Sequence, residues 1–465
     1  MRGVDIFLPG AVFLSAMLGA VAAQAADEPA SEVVEMVVNL MREDDKDLRS
    51  LAFEQVRSEV QGEAATRLFV AELPKLSPEA QVGLLSALAD RGDKAARPTV
   101  LELAAASRDE SVRAAAIGAL GFLGEPADAP LLVDWLAKGS KAEQTAARAS
   151  LVRLPGEAVP GSIVAATKAA PPPLVATLMG ILVERRATST IPDLLAAAVG
   201  PDPAVRGAAM SALGQLAAPE HVGAMVQGVL KAQEGREREA AEKAVMLVCG
   251  RIAEPQERAD PLLAAVEQLK GDDRVAMLPA VGRVGGARAV EVVERAIAAA
   301  DPAVHGAGIR ALCNWPDATV APRLIELSQA DPHADHRTAS LRALIRIAPL
   351  PDDRTDRQRL DLLKKALDLC TRDAERVLVL QRASAIRNVE TLRFLAPYMK
   401  QPALAPQACQ SIVELAHHRN LREPNKAEFD WALDEVIATS HDATVIERAR
   451  RYKKGQTWVR PKAAE

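Results

Sequence analysis

A fifteen-residue phrase occurs three times in this chain with small variations. It reads DESVRAAAIGALGFL from Asp109, DPAVRGAAMSALGQL from Asp202 and DPAVHGAGIRALCNW from Asp301. Each copy opens with an aspartate that can cap a helix, and its apolar residues recur every three or four positions, as on one helix face. The copies are 93 and 99 residues apart, which predicts a repeat unit of about a third of that length.

Weaker copies of the same helix opening fill the intervals, at steps of 29 to 38 residues. The openings are expected at Asp45, Ser77, Asp109, Lys141, Pro172, Asp202, Arg236, Asp272, Asp301, Asp335, Asp373, Leu404 and Asp442. Between two openings there is room for another apolar helix, so each unit is predicted to be a helix hairpin. A single hairpin cannot bury its apolar face, whereas a row of hairpins shares one core. The predicted fold is therefore an all-α solenoid of about a dozen hairpins.

The composition agrees with this fold. Hydrophobic residues make up 49% of the chain and aromatic residues only 3%, an Ala- and Leu-rich balance that favours packed helices over sheets. No linker interrupts the series, so residues 26–455 are predicted to form one solenoid domain, followed by a short basic tail over residues 456–465.

The phrase at Asp109 and Asp202, D-x-x-V-R followed by A-x-x-A-L-G-x-L, resembles the second helix of HEAT repeats. This resemblance implies a binding role, with Val112 and Val205 in the core and with Arg113 and Arg206 as ladder residues that bond to an Asp of a neighbouring unit. The period is shorter than the 40 to 47 residues typical of the family, and it is similar to the short HEAT-like units of phycobilisome lyases. In the third copy His305 replaces the arginine.

The first 25 residues resemble a secretory signal peptide. Arg2 precedes an apolar run from Ile6 to Ala23, and small residues at Ala23 and Ala25 suit cleavage. An uncleaved membrane anchor is the alternative, because the run is nearly long enough to span a bilayer. Either interpretation predicts export, to the periplasm or to the outside of the cell.

The net charge of −5 argues against nucleic acid as a partner, because nucleic-acid binding needs many Lys and Arg residues to neutralise phosphates. One basic stretch, RARRYKKGQTWVRPK from Arg448, could contact an anionic partner or a membrane surface. We favour a structural interpretation, in which these cations suit the C-terminal end of the last helix. The predicted partner is another protein; neither its identity nor the oligomeric state follows from the sequence.

Four cysteines lie in the C-terminal half, at Cys249, Cys313, Cys370 and Cys409. In an exported chain they could form up to two disulfides, with three connectivities that the sequence does not rank. Cys313 lies inside a repeat helix, which suits a buried thiol equally well. The chain has no C-x-x-C pair, so the sequence gives no support to a zinc ribbon, thioredoxin chemistry or covalent haem.

One short segment, ADPHADHR from Ala330, contains the only metal-like cluster of the sequence. Asp331, His333, Asp335 and His336 fall within six positions, and imidazole and carboxylate groups at this density could hold a divalent ion. We favour an Asx-type turn instead, because the segment falls between two predicted helices. The sequence therefore predicts no metal, cofactor or catalytic residue.

Catalytic motifs such as G-x-S-x-G, H-E-x-x-H, the P-loop and G-x-G-x-x-G are missing from the sequence. The leading hypothesis is a non-catalytic scaffold that binds proteins in the periplasm or cell envelope. An enzyme accessory or lyase-like protein and a structural envelope component are the alternatives. Small residues on the second helices, at Gly118, Gly207, Ser211, Gly306 and Gly308, could admit a partner, but we favour close packing between helices as their purpose.

Overall fold

The computed structural model describes residues 32–58 and 62–459, which form helices joined by turns and include no strand. The chain divides into two compact units, Met1–Leu216 and Ala217–Glu465. The helices of the first unit are α1 (32–41), α2 (Lys46–Ser58), α3 (Glu63–Glu72), α4 (Pro78–Arg91), α5 (Arg97–Ala106), α6 (Glu110–Leu123), α7 (Ala129–Lys138), α8 (Lys141–Arg153), α9 (Val159–Thr167), α10 (Pro172–Glu184), α11 (Ile191–Ala198) and α12 (Pro203–Leu216).

The second unit continues the same alternation of helices. They are α13 (Val222–Lys231), α14 (Arg236–Cys249), α15 (Asp260–Glu267), α16 (Gly271–Ala276), α17 (Leu278–Val284), α18 (Ala287–Ile297), α19 (Pro302–Cys313), α20 (Ala321–Ala330), α21 (Ala334–Ile347), α22 (Asp356–Asp368), α23 (Asp373–Ala383), α24 (Val389–Leu395), α25 (Ala405–Ala416), α26 (Arg419–Arg422), α27 (Lys426–Thr439) and α28 (Ala443–Lys453).

In each unit the helices pair into antiparallel hairpins, and the hairpins stack. In the first unit α5 pairs with α6 and α7 with α8, while the second helices α4, α6 and α8 pack side by side. In the second unit α18 pairs with α19 and α20 with α21, and the second helices α17, α19, α21, α23 and α25 form the equivalent layer. Each unit is thus an all-α solenoid of HEAT-like hairpins, which confirms the predicted fold class.

Every predicted opening lies within one residue of the start of a second helix. Side-chain caps account for several of these starts: the carboxylate of Asp301 accepts the backbone N–H groups of Ala303 and Val304, and Asp442 does the same for Thr444 and Val445. Such a cap satisfies donors that the first turn of a helix leaves unpaired. The local sequence therefore determines where each second helix begins.

One second helix is divided. Helix α16 ends at Ala276 and α17 begins at Leu278, one residue before Pro279. Proline has no N–H for the helix ladder, and its ring clashes with the preceding turn. This explains why the hairpin that begins with α15 has its second helix in two pieces.

The cores are built from small and aliphatic side chains. Leu120 and Leu312, which hold the same place in two copies of the repeated phrase, are both fully buried. The few aromatic residues contribute locally, with Phe69 buried in the first unit and Trp315 and Phe429 in the second. The predicted close packing of helices holds at Gly308, where a Cβ atom would lie 2.7 Å from the backbone nitrogen of Ile297. It does not hold at Gly118 or Gly207, where a Cβ atom would meet nothing within 4 Å.

An arginine near the end of several second helices links consecutive hairpins. The Arg185 guanidinium donates to the carbonyls of Leu151, Val152 and Leu154 at the end of α8. Arg346 donates in the same way to the carbonyls of Cys313 and Trp315 after α19. These carbonyls have no acceptor role within their own helix, so the arginines satisfy them across the hairpin interface.

Among the described residues, no helix is both long and apolar enough to cross a membrane. The predicted signal peptide, residues 1–25, lies outside the described residues, as does the end of the predicted tail, residues 460–465. The prediction of a single domain over residues 26–455 remains a prediction beside the division into two units.

Candidate functional site

Several second helices in both units share one contact at their start. The fourth residue of each of these helices is an arginine whose side chain donates to carbonyls at or just after the end of the preceding helix. Such bonds are made by Arg49, Arg113, Arg206, Arg337 and Arg376. A guanidinium is suited to this place because its several donors match the unsatisfied carbonyls, and its charge matches the negative end of the helix dipole.

At α6 the arginine also reaches the next hairpin. Arg113 Nε lies 2.5 Å from Glu143 Oε1, and Glu143 Oε2 accepts the backbone N–H of Ser140 at 2.8 Å. We call Arg113, Ser140 and Glu143 the arginine junction. The predicted ladder bond from Arg113 to a neighbouring unit is present, but its acceptor is a glutamate at the third position of α8 and not an aspartate. The bonds of Arg206 given above go to Gly200 and Pro201 of its own hairpin.

The Glu143 carboxylate is held in its charged form. The N–H of Ser140 and the guanidinium of Arg113 both bond to it and lower its pKa, and together they outweigh the effect of burial, which raises it. The arginine junction is therefore an ion pair with a defined set of hydrogen bonds.

The equivalent place between α19 and α21 has different chemistry. His305 is the fourth residue of α19, where α6 has Arg113. His333 holds the N-cap position of α21, where Ser140 caps α8, and His336 is the third residue of α21, where α8 has Glu143. The turn is also one residue longer, because Asp331 and Pro332 stand where Gly139 stands alone. We call His305, Asp331, His333 and His336 the histidine junction.

The four side chains of the histidine junction meet around the Asp331 carboxylate. His305 Nε2 lies 3.1 Å from Asp331 Oδ2, while His333 Nδ1 and His336 Nδ1 lie 3.4 Å and 3.2 Å from Asp331 Oδ1. One nitrogen or oxygen atom from each residue lies within 4.8 Å of all the others. The Asp331 side chain is 1% exposed and that of His305 is 15% exposed, whereas His333 is 56% exposed. The cluster is thus closed on the inside and open to solvent at His333.

The structure brings together three of the four residues that the sequence grouped. Asp335 is exposed at the second position of α21 and lies outside the cluster. The favoured Asx-type turn is present, because Asp331 Oδ1 accepts the backbone N–H of His333 at 2.9 Å. The residue that sequence reasoning missed is His305, which the fold brings to the turn from 26 positions upstream. Its signal in the sequence was the replacement of the ladder arginine.

The Asp331 carboxyl is also held in its charged form. Burial raises its pKa, but the backbone N–H of His333, the imidazole of His305 and the nearby ring of His336 together bring the pKa below its usual value. A buried carboxylate therefore faces three imidazole rings at the interface of two hairpins.

All four cysteines are free thiols in the structure, and Cys249, Cys370 and Cys409 are buried. Burial raises the pKa of the Cys249 thiol to about 12 and that of the other three to about 11. Only a thiolate is an effective nucleophile, so these groups suit packing and not covalent chemistry.

The described part of the basic stretch is engaged with its own hairpin and with the preceding one. Arg448 donates to Glu414 at 2.7 Å, and its guanidinium lies 5.0 Å from the ring centre of Trp458. Lys453 pairs with Asp434 on α27. These contacts suit the structural interpretation of the cations near the end of α28.

Two polar grooves lie on the second-helix layer of the second unit. A cavity of about 920 Å³ beside α14 and α17 is lined by charged residues that include Arg238, Glu239 and Arg283. A cavity of about 450 Å³ between α23 and α25 is lined by Gln381, Gln407 and Gln410, together with Arg382, Arg387 and Glu414. We call the second cavity the glutamine groove.

Residues 66–152, from within α3 to the end of α8, match the family model described as HEAT repeats. This stretch is similar to HEAT repeats. It contains the arginine junction, and the hairpins of the second unit repeat its architecture. No curated protein matches the chain.

Solved structures with a similar backbone fold include the karyopherin Kap121p bound to Pho4p, at 12% identity and a TM-score of 0.45. Kap95p, solved with RanGDP, is 12% identical with a TM-score of 0.41, and the alignment covers 94% of this chain and 64% of Kap95p. The Kap121p alignment covers 91% of this chain and 57% of Kap121p. The chain thus spans less than two thirds of the length of these neighbours.

Proposed function

We propose that the chain is a non-catalytic scaffold that binds an extended segment of a partner protein. The observation that supports this proposal is the glutamine groove on the second-helix layer. Each glutamine amide can donate and accept hydrogen bonds at once, as the N–H and C=O groups of an extended peptide require. HEAT-repeat solenoids commonly bind proteins, and stacked hairpins present such surfaces over several units.

The charges beside the groove add to the argument. Arg382 and Arg387 are exposed, while Glu414 is paired with Arg448 at 2.7 Å, so the free charge at the rim is positive. A partner segment with acidic residues beside an extended stretch fits this arrangement. Nucleic acid remains disfavoured by the net charge of −5.

We place this function outside the cytoplasm, in the periplasm or cell envelope, on the strength of the signal-like residues 1–25. The absence of catalytic motifs from the sequence and the high pKa values of the thiols favour binding over catalysis. The likeness of the short repeats to those of phycobilisome lyases remains an interpretation of the repeat length alone.

Site-specific photocrosslinking in the native host tests the proposal. A photoreactive residue at Gln381 or Gln407 samples the glutamine groove, and the same residue at the exposed Lys365 on the first helix α22 is the matched control. We expect one envelope protein to be captured from both groove positions and not from Lys365. Capture from Lys365 alone, or the same products from all three positions, would contradict the assignment of the groove.

A further inference from the structure

Within residues 32–58 and 62–459, one contact between consecutive second helices has histidines at three of its positions. The arginine junction uses an arginine, a serine and a glutamate at these positions, and it is complete as a set of donors and acceptors. At the histidine junction the same positions carry three imidazoles, and the longer turn adds the Asp331 carboxylate. Three imidazoles are not needed to continue the ladder, since a single arginine serves that purpose elsewhere.

The hydrogen bond of His305 to a backbone carbonyl shows which of its two ring nitrogens is directed to the cluster. His305 Nδ1 lies 2.6 Å from the carbonyl oxygen of Ile297. A carbonyl can only accept, so Nδ1 carries the proton, and in the neutral ring Nε2 presents a lone pair to Asp331 Oδ2 at 3.1 Å. At this distance a cation must lie between the two atoms: either a proton on Nε2, which turns the ring into an imidazolium that donates to the carboxylate, or a metal ion. The two further imidazoles beside the same carboxylate favour the metal ion. A metal-bound histidine commonly has its other ring nitrogen bonded to a carbonyl in this way.

The distances fit a small tetrahedral cation. Zinc binds imidazole nitrogen and carboxylate oxygen at about 2.0 to 2.1 Å, which places neighbouring ligand atoms about 3.3 Å apart. His305 lies 3.1 Å from Asp331 Oδ2, and His333 and His336 lie 3.4 Å and 3.2 Å from Oδ1. The four ligand atoms lie within 4.8 Å of one another, so one ion would draw each of them inward by about 1 Å or less. Three imidazole nitrogens and one carboxylate also form a donor set that zinc prefers over calcium or magnesium, which take oxygen ligands.

We propose that His305, Asp331, His333 and His336 bind one Zn²⁺ ion. The ion would join α19 to the turn before α21 and to the first turn of α21, and so link two consecutive hairpins of the second unit. Four protein ligands complete a tetrahedral shell, which is typical of structural zinc and not of catalytic zinc. The exposed ring of His333 gives the ion a route from solvent.

Titration of zinc into the chelator-treated full chain, with a chromophoric chelator as competitor, tests the site. We expect one zinc ion per chain, and we expect thermal unfolding monitored by circular dichroism to move to higher temperature on binding. His305→Ala and His336→Ala should each weaken zinc binding by about 100-fold or more. Loss of a residue that only supports a ligand typically costs about 10- to 100-fold, and loss of a ligand itself should cost at least as much. His441→Ala, which removes an exposed histidine before α28, is the matched control and should bind zinc like the unchanged chain.

A second variant separates loss of the ion from loss of the fold. His305→Arg restores the ladder residue found at Arg113 and Arg206, so it should fold and still lose the zinc-dependent thermal shift. Zinc binding that survives in both His305→Arg and His336→Ala would overturn the proposal. No binding of zinc by the folded, unchanged chain at millimolar zinc would overturn it as well. Both outcomes leave the scaffold proposal untouched, because the glutamine groove shares no residue with the histidine junction.

Discussion

The arginine junction and the histidine junction occupy the same place in the hairpin repeat and use it differently. In both, the fourth residue of one second helix meets the start of the next. Arg113 and Glu143 carry opposite charges and satisfy each other directly. His305, His333 and His336 carry no complementary anion among themselves and converge on one buried carboxylate. The comparison teaches that the repeat specifies where side chains meet, and that the chemistry at the meeting point can change without changing the fold.

The first prediction asks whether the apolar cores beneath the two junctions are equally well packed. Leu120→Ala in α6 and Leu312→Ala in α19, the helices that carry Arg113 and His305, each remove a fully buried side chain. We expect each to lower the free energy of unfolding by about 2–5 kcal/mol, as typical core cavities do. Native-state hydrogen exchange, resolved by hairpin, measures both. If one of the two leucine variants lost less unfolding free energy than a substitution at an exposed position does, the two junctions would differ in their apolar packing as well as in their polar groups.

The second prediction concerns the polar groups themselves. Arg113→Ala leaves the buried Glu143 carboxylate and the carbonyls of Ser107 and Arg108 without their shared donor, and we expect a cost of about 2 kcal/mol. His305→Ala without zinc should cost about 1 kcal/mol, because Asp331 keeps the N–H of His333. With zinc bound, His305→Ala should lower the free energy of unfolding by more than Arg113→Ala does. Hairpin-resolved exchange with and without zinc measures it, and exposed Arg108→Ala is the control. An equal cost of His305→Ala in both conditions contradicts the comparison.

The third prediction concerns the caps that the two units share. Asp202 accepts the N–H of Val205 at 2.9 Å, and Asp301 accepts those of Ala303 and Val304. Asp202→Ala and Asp301→Ala should each cost about 1 kcal/mol of unfolding free energy. Urea unfolding followed by circular dichroism is the measurement. Asparagine at the same positions should restore most of the loss, and a failure to do so would mean that the carboxylates act through something other than capping.

The smallest expected effect is a shift in the titration of Glu143. Because its folded-state pKa lies below the ordinary value of 4.5, the carboxylate contributes stability that is present above pH 4.5. That contribution is lost as the pH falls through the lower folded-state value. Carbon-13 NMR of the side-chain carboxyl should show the pKa of Glu143 rising in Arg113→Ala. An unchanged pKa would mean that the ion pair does not operate in solution.

The sequence predicted the fold because its signals are local. Asp109, Asp202 and Asp301 cap helices through donors two or three residues away, and the apolar spacing within each phrase defines the buried face. These rules act within one helix, so a single sequence suffices to locate the helices that carry them, and the regular spacing of the repeat locates the others. The break between α16 and α17 follows from Pro279 in the same local way, although the sequence pattern did not predict it.

The candidate site could be predicted only in part, because it depends on contacts between hairpins. Asp331, His333 and His336 are close in sequence and were grouped, and the exposed Asp335 was grouped with them although it lies outside the cluster. His305 joins them only through the stacking of α19 on α21. The glutamine groove likewise combines residues from α23 and α25, and no local pattern marks them.

X-ray absorption at the zinc edge, on the full chain loaded with one equivalent of Zn²⁺, tests the comparison most directly. A histidine junction that binds the ion predicts about four nitrogen or oxygen neighbours at about 2.0 Å, with the multiple scattering of three imidazole rings. The same spectrum of His305→Arg should lose that pattern. Sulfur neighbours, or a shell with at most one imidazole in the unchanged chain, would contradict the claim that the repeat frame has become a metal site at this junction.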